Sequence, residues 1–230
     1  MQAFDPNAIA ALSVPVLCID TCSLLDIMRD PTRDSTQARD RLAAIDLVKR
    51  LESLDLVCLV AEQVEMEFGS HDTDIQLEAE NAIRKLRERV DQVNQIHATF
   101  LSAVKVDLTH LDNVVAPARQ IITRWTNAAH RVSSSPAIYS KAMYRVNQGI
   151  APARKGKDSV KDCVVVETYL SAVDDLRTAR MPTNVVFLSS NTKEYRAEGK
   201  TLHPDLVTDF SNINITYAPN MSAAKALLGF

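Results

Sequence analysis

The chain has 230 residues, 46% hydrophobic, 24% charged and 5% aromatic, with a formal net charge of −3. That balance excludes a disordered polyelectrolyte and a collagen-like repeat, and the length suffices for one domain with a buried core. Only 5 glycines disfavour a turn-rich all-β sandwich. The longest apolar runs fall far short of the ~18–20 residues that span a bilayer, so no membrane partner is expected. Residues 1–12 lack a basic leader, and the chain reads as cytoplasmic. Its 4 cysteines, Cys18, Cys22, Cys58 and Cys163, lie in or beside apolar runs. They lack metal-type pairing and read as reduced thiols.

Residues 14–19 (VPVLCI) are a short β-branched apolar run that ends at Asp20-Thr21, predicting a buried strand and a polar turn. Residues 24–28 follow as a short helix, broken at Asp30-Pro31. Ser35 is the expected cap of a helix reaching about residue 53, with Leu42, Ile45, Val48 and Leu51 on its inner face. Residues 56–60 (LVCLV) predict a second buried strand, with a helix directly after it from about Glu62. Ile83, Leu86, Val90, Val93, His97, Phe100 and Val104 then recur at alternating steps of three and four, a heptad seam with one histidine at a core position. After a polar break at 107–113, Val114, Ala118, Ile121, Trp125, Ala128 and Val132 repeat the helical pattern. The two stretches predict an antiparallel helical hairpin, ended by Ser133-Ser134-Ser135-Pro136.

A loop through Ala151-Pro152 and Lys155-Gly156-Lys157 leads into a helix from near Asp158 to about residue 179. Residues 184–188 (NVVFL) predict a third strand, ending at Ser189-Ser190-Asn191, with a helical turn over 192–196. Residues 213–217 predict a fourth, and Asn220 caps a last helix carrying Ala223, Leu227 and Leu228. Apolar strands alternating with helices predict an α/β fold, a parallel sheet with helices on both faces. The chain reads as a single domain over 1–230, with a long α-helical hairpin inserted at 71–150.

Ligand sites in such sheets lie beyond the carboxyl ends of the strands. Asp20 ends the first strand. Glu62, Glu65 and Glu67 follow the second, and Ser189, Ser190, Asn191 and Glu194 follow the third. Asp158 and Asp162 open the helix before it. Carboxylates gathered at one edge repel and raise each other's pKa. A hard divalent cation, Mg²⁺ or Mn²⁺, relieves that conflict and prefers oxygen ligands. Simpler roles exist for some of these acids. Glu62, Glu65 and Glu67 sit where carboxylates favour the helix macrodipole, and Asp158 serves equally as an N-cap.

Four segments resemble the PIN-domain ribonucleases. Leu17-Cys18-Ile19-Asp20-Thr21-Cys22-Ser23-Leu24-Leu25 is similar to that family's opening, and Val64-Glu65-Met66-Glu67-Phe68 to its second motif. Lys157-Asp158-Ser159-Val160-Lys161-Asp162-Cys163 is similar to the third, and Phe187-Leu188-Ser189-Ser190-Asn191-Thr192-Lys193-Glu194-Tyr195 to the fourth. The resemblance covers roughly 12–70 and 155–230. It implies a PIN-like fold and hydrolysis of phosphodiester bonds dependent on Mg²⁺ or Mn²⁺. Asp20, Glu67 and Asp162 become its catalytic, metal-binding carboxylates, with Asn191 at a fourth, usually acidic position. Glu194 or Asp158 then supplies the missing charge, and Ser23 and Ser189 orient the carboxylates.

From residue 116 to 157 there is no Asp or Glu, but there are eight basic residues: Arg119, Arg124, Arg131, Lys141, Arg145, Arg154, Lys155 and Lys157. Phosphate contacts need such a stretch, and Tyr139 and Tyr144 offer stacking faces. Trp125 reads as core. Arg145, Arg154, Lys155, Lys157 and Lys161 are the expected nucleic-acid contacts. Taken with this stretch, the resemblance implies cleavage of single-stranded RNA by an endoribonuclease of toxin or defence type, with DNA as the other admissible polymer. A catalytically inactive RNA-binding or scaffold module is the alternative, kept open by Asn191. An antitoxin or regulatory protein, and a second copy of the chain, are the further partners considered. An aspartyl-nucleophile phosphatase would need a second Asp two residues after Asp20, where Cys22 stands.

Overall fold

The computed structural model describes residues 1–100, 105–111, 113–153, 159–197 and 201–230. Its strands are β1 (Gln2–Ala3), β2 (Val16–Ile19), β3 (Val57–Ala61), β4 (His130–Val132), β5 (Val185–Leu188) and β6 (Ile215–Ala218). They form one all-parallel sheet in the order β1-β4-β3-β2-β5-β6. The helices are α1 (Pro6–Leu12), α2 (Thr21–Leu25), α3 (Ala38–Glu52), α4 (Glu62–Phe100), α5 (Val115–Ala128) and α6 (Pro136–Gln148). They continue with α7 (Val160–Thr178), α8 (Thr192–Tyr195), α9 (Pro204–Asn212) and α10 (Met221–Leu227).

The chain moves from β2 to β3 and β4 in one direction, then crosses to β5 and β6 in the other. Right-handed crossovers place the helices of the two directions on opposite faces. The packing agrees: α3 lies against α5 and α10, whereas α7 lies against α1 and α6. Helices on both sides explain why every residue of β2, β3 and β5 is buried and apolar instead of alternating. Phe187 of β5 anchors the aromatic part of the core, with ring centroids of Tyr195, Phe210 and Tyr169 at 5.1, 5.6 and 5.8 Å. All four cysteines are free thiols, and Cys18, Cys58 and Cys163 are buried.

The four predicted strands are present, and two more join them. β1 has two residues and β4 three, too short to carry a periodic signal. β4 occupies the end of what the sequence pattern extends as helix, because Val132 packs into the core as a strand residue. Three helices also went unread: α1, capped by Asp5 through Asn7 and Ala8 at 3.0 and 3.1 Å, α9, and α6. Ser135 caps α6 and Gly149 ends it at a left-handed φ of 65°. α3 starts at Ala38 rather than beside Ser35. Its inner face is Ala44, Leu47, Val48 and Leu51, and Leu42 is 66% exposed.

The two arms of the helical hairpin are present but pack differently from the expected seam. The first arm is the outer part of the 39-residue α4, and the second arm, α5, packs mainly on α3. Trp125 is buried as expected, its Nε1 donating to Ala44 O at 3.1 Å. The arms meet at their base, where Arg119 Nη2 lies 2.5 Å from Asp72 Oδ2. Beyond Val90 no helix among the described residues covers the seam: Val93 is 63% and Phe100 79% exposed, and His97 is exposed as well. Val104 lies outside the described residues. No helix among the described residues is long and apolar enough to cross a membrane.

Candidate active site

Strand connections diverge between β2 and β5, so the crevice beyond their carboxyl ends is the natural ligand position. The β2–β5 register pairs Ile19 with Leu188, which places Asp20 beside Ser189. Asp20 N donates to Leu188 O at 2.9 Å. The Asp20 carboxylate caps α2, accepting from Thr21 N at 2.7 Å on one oxygen. Its other oxygen accepts from Ser189 Oγ at 2.6 Å and Cys22 Sγ at 3.0 Å. Asp20 is 5% exposed. Burial first, and the nearby Glu67 charge next, push its carboxyl above the usual range; the three hydrogen bonds work the other way. Among the described residues no basic side chain stands against it.

Glu67 sits in the second turn of α4. Its carboxylate accepts from Thr21 Oγ1 at 2.9 Å and from Gln63 Nε2, one turn earlier, at 3.0 Å. Thr21 therefore joins the two acids: its N–H binds Asp20 and its hydroxyl binds Glu67. Tyr169 of α7 fixes the same edge, its hydroxyl donating to Ile19 O at 2.5 Å and accepting from Ala61 N at 3.0 Å. Asp162 precedes Tyr169 by seven residues, two turns earlier on the same face of α7 and ~10 Å away along the helix axis.

Tyr195 of α8 packs edge-on against Phe187 of β5. Its hydroxyl is fully buried and makes no hydrogen bond with the described residues. Burial raises its pKa well above the ordinary value, with further contributions from Asp20, Asp162, Cys22 and Glu67. Three carboxylates thus act on one hydroxyl. They do not close into a cage: among the described residues no group of three or more His, Cys, Asp or Glu side chains can hold a metal ion. Ser23 Oγ accepts from Ser190 N at 3.0 Å, so it fixes the loop instead of a carboxylate. Asn191 is half-buried at the start of α8, its N–H donating to Ser189 Oγ at 3.2 Å. Glu194 is buried within α8. Asp158 lies outside the described residues.

A family model of the PIN domain matches residues 17–195. The chain belongs to the PIN-domain family. PIN domains are generally nucleases, and those nucleases usually use divalent metals. No curated protein and no solved structure matches the chain.

The basic stretch of this PIN domain differs from its sequence reading. Arg145, expected as a nucleic-acid contact, is turned into the core. It is 5% exposed and bonded to Glu167, to Ala151 O at 2.7 Å and to Asp209 Oδ2 at 2.5 Å. Burial opposes its charge, but the bonds to Asp209 and Glu167 outweigh that and keep the guanidinium protonated. Arg119 pairs with Asp72, Arg124 with Glu52 at 2.6 Å, and Arg131 with Glu62 and Glu65 at 2.5 and 2.9 Å. Four of the eight basic residues in that run are thus paired with acids from α3, α4, α7 and α9. Lys141 and Lys161 are exposed, and Arg154, Lys155 and Lys157 lie outside the described residues.

Sequence reasoning missed Thr21, Gln63 and Tyr195 as parts of this PIN-domain site. Gln63 had a signal, its spacing of four from Glu67 on a helix. Thr21 and Tyr195 had none that spacing reveals.

Proposed function

We propose that this PIN domain is a metal-dependent endoribonuclease acting on single-stranded RNA. The observation that carries the reading is the junction at the switch point: Asp20 and Glu67 joined through Thr21, with Asp162 within electrostatic reach. A buried carboxylate without a basic partner among the described residues, beside a second one, is an all-oxygen donor set suited to a hard divalent cation. Asp20 and Glu67 would hold it, with Asn191 contributing an amide oxygen and Glu194 further charge. When bound, such an ion makes water a better nucleophile and stabilises charge on phosphate oxygens. The rest is done by the chain. Ser189 and Thr21 N fix the Asp20 carboxylate, and Thr21 Oγ1 and Gln63 fix that of Glu67. Asp162 is the carboxylate left to orient the attacking water. Exposed Lys161, beside it on α7, meets a phosphate of the strand.

The test is incubation with labelled single-stranded RNA and a matched DNA, in Mn²⁺ or Mg²⁺ and in chelator. RNA cleavage is expected only with the metal, and Asp20→Asn should reduce it at least ~10²-fold. Equal cleavage by Asp20→Asn at matched purity overturns the reading. Asn191 in place of an acid favours a second reading, an RNA-binding module without catalysis; binding without metal-dependent cleavage selects it.

A further inference from the structure

A cavity of about 510 Å³ opens beside the acidic edge and shares Cys22, Ser23, Ser190 and Asn191 with it. Its other wall comes from residues 26–41. Four arginines line it, Arg29, Arg33, Arg39 and Arg41, against two acids, Asp26 and Asp40. The acids are engaged: Asp26 Oδ1 lies 2.7 Å from Arg29 Nε, and Asp40 Oδ1 accepts from Ser222 N at 3.1 Å. Arg33 is paired with Glu78. Arg39 and Arg41 have no ion pair among the described residues. Arg39 is exposed. Arg41 is half-buried; its Nη2 bonds Arg29 O at 2.5 Å, and its Nε is buried with no partner. Burial lowers the Arg41 pKa, only partly offset by Asp26 and Asp30. The amino end of the 15-residue α3 adds to the field, because Gln37 makes no side-chain cap bond there and lines the cavity.

We propose that this cavity is a phosphate-binding subsite that holds the RNA strand next to the bond at Asp20, with Arg39 and Arg41 as its ion-pairing groups. The proposal rests on the nuclease reading for its substrate. Planar guanidinium groups match phosphate oxygens two at a time. Ile27, Pro219 and Met221 line the same cavity, giving the neighbouring base or ribose apolar contact. One strand can therefore cross from the arginine pocket to the carboxylates over the shared residues Ser190 and Asn191.

The experiment uses the full chain carrying Asp20→Asn and a short fluorescein-labelled single-stranded RNA, with affinity read by anisotropy across a salt series. Arg39→Ala and Arg41→Gln should each weaken binding about tenfold, the worth of one charge-assisted contact. Each should flatten the salt slope by about 0.7. Arg39 is exposed, so its variant should melt with the parent and stays informative if Arg41→Gln unfolds. Parental affinity and slope in both variants, while the chain with Asp20 intact still cuts RNA, overturn the subsite and leave the nuclease reading standing. If the parent neither binds nor cuts RNA, the nuclease reading falls, and calorimetry with inorganic pyrophosphate judges the cavity alone. Heat lost in Arg39→Ala then supports an anion site, and no heat from the parent overturns it. Displacement of RNA by poly-glutamate but not by pyrophosphate also overturns the subsite, and marks a carboxylate-bearing protein partner.

Discussion

Replacing Arg145 with Met tests whether its charge is structural. The guanidinium sits with its side chain 6% exposed, against a Glu167 side chain 10% exposed and an Asp209 side chain 29% exposed. Removing it leaves the Glu167 carboxylate buried without a counter-charge and frees Ala151 O, which it bonds at 2.7 Å. Breaking one side of a buried pair costs about 3–5 kcal/mol. Asp209 is wetter and adds little, and the carbonyl belongs to the same side chain, so its loss is contained in that figure. Against a typical total of about 5–15 kcal/mol, the variant should be severely destabilised. Adding Glu167→Gln removes the stranded charge and should restore a large part of the loss, a coupling that a double-mutant cycle reads directly. Urea unfolding followed by circular dichroism gives all three numbers. A cost below about 1 kcal/mol for Arg145→Met, together with weakened RNA binding, would refute the argument and return Arg145 to the nucleic-acid surface.

Three further outcomes follow from the site. Burial raises the Asp20 pKa in the folded chain, so its contribution to stability is present below the ordinary carboxylate pKa and is lost as pH rises through the folded value. Asp20→Asn should therefore flatten the fall in stability above about pH 4, and an unchanged pH profile in urea titrations would contradict the burial argument. Mn²⁺ should raise the melting temperature of the wild type, continuing to rise with the logarithm of its concentration above Kd, and leave Asp20→Asn unmoved; equal shifts would place the ion elsewhere. Tyr195→Phe deletes a buried hydroxyl that has no partner among the described residues. It should gain about 1 kcal/mol, whereas a loss of similar size would show that the hydroxyl is bonded in solution.

The sequence by itself determined the sheet core and the position of its acids. An apolar β-branched run is buried wherever it lies, so β2, β3, β5 and β6 were legible from local pattern, and Asp20 at the end of one of them was marked by place alone. The four family-like segments appeared in chain order for the same reason, since each is a local strand or helix boundary. Tertiary structure decided what depends on distant partners. β1 and β4 exist because a sheet edge was waiting for them, not because their two and three residues prefer to be strands. The seam of α4 has heptad spacing yet meets no opposing helix among the described residues beyond Val90, because spacing states which face is apolar and not what covers it. Thr21 reaches Glu67 across 46 residues and Arg124 reaches Glu52 across 72, so neither the acid junction nor the pairing within the basic run is visible in any window of sequence. Residues 26–41, read only as a helix break and a new start, became a wall of arginines once β2 and β5 brought them to the mouth of the acidic crevice. Burial is encoded by periodicity, but the partner of a charge is set only by the path of the chain.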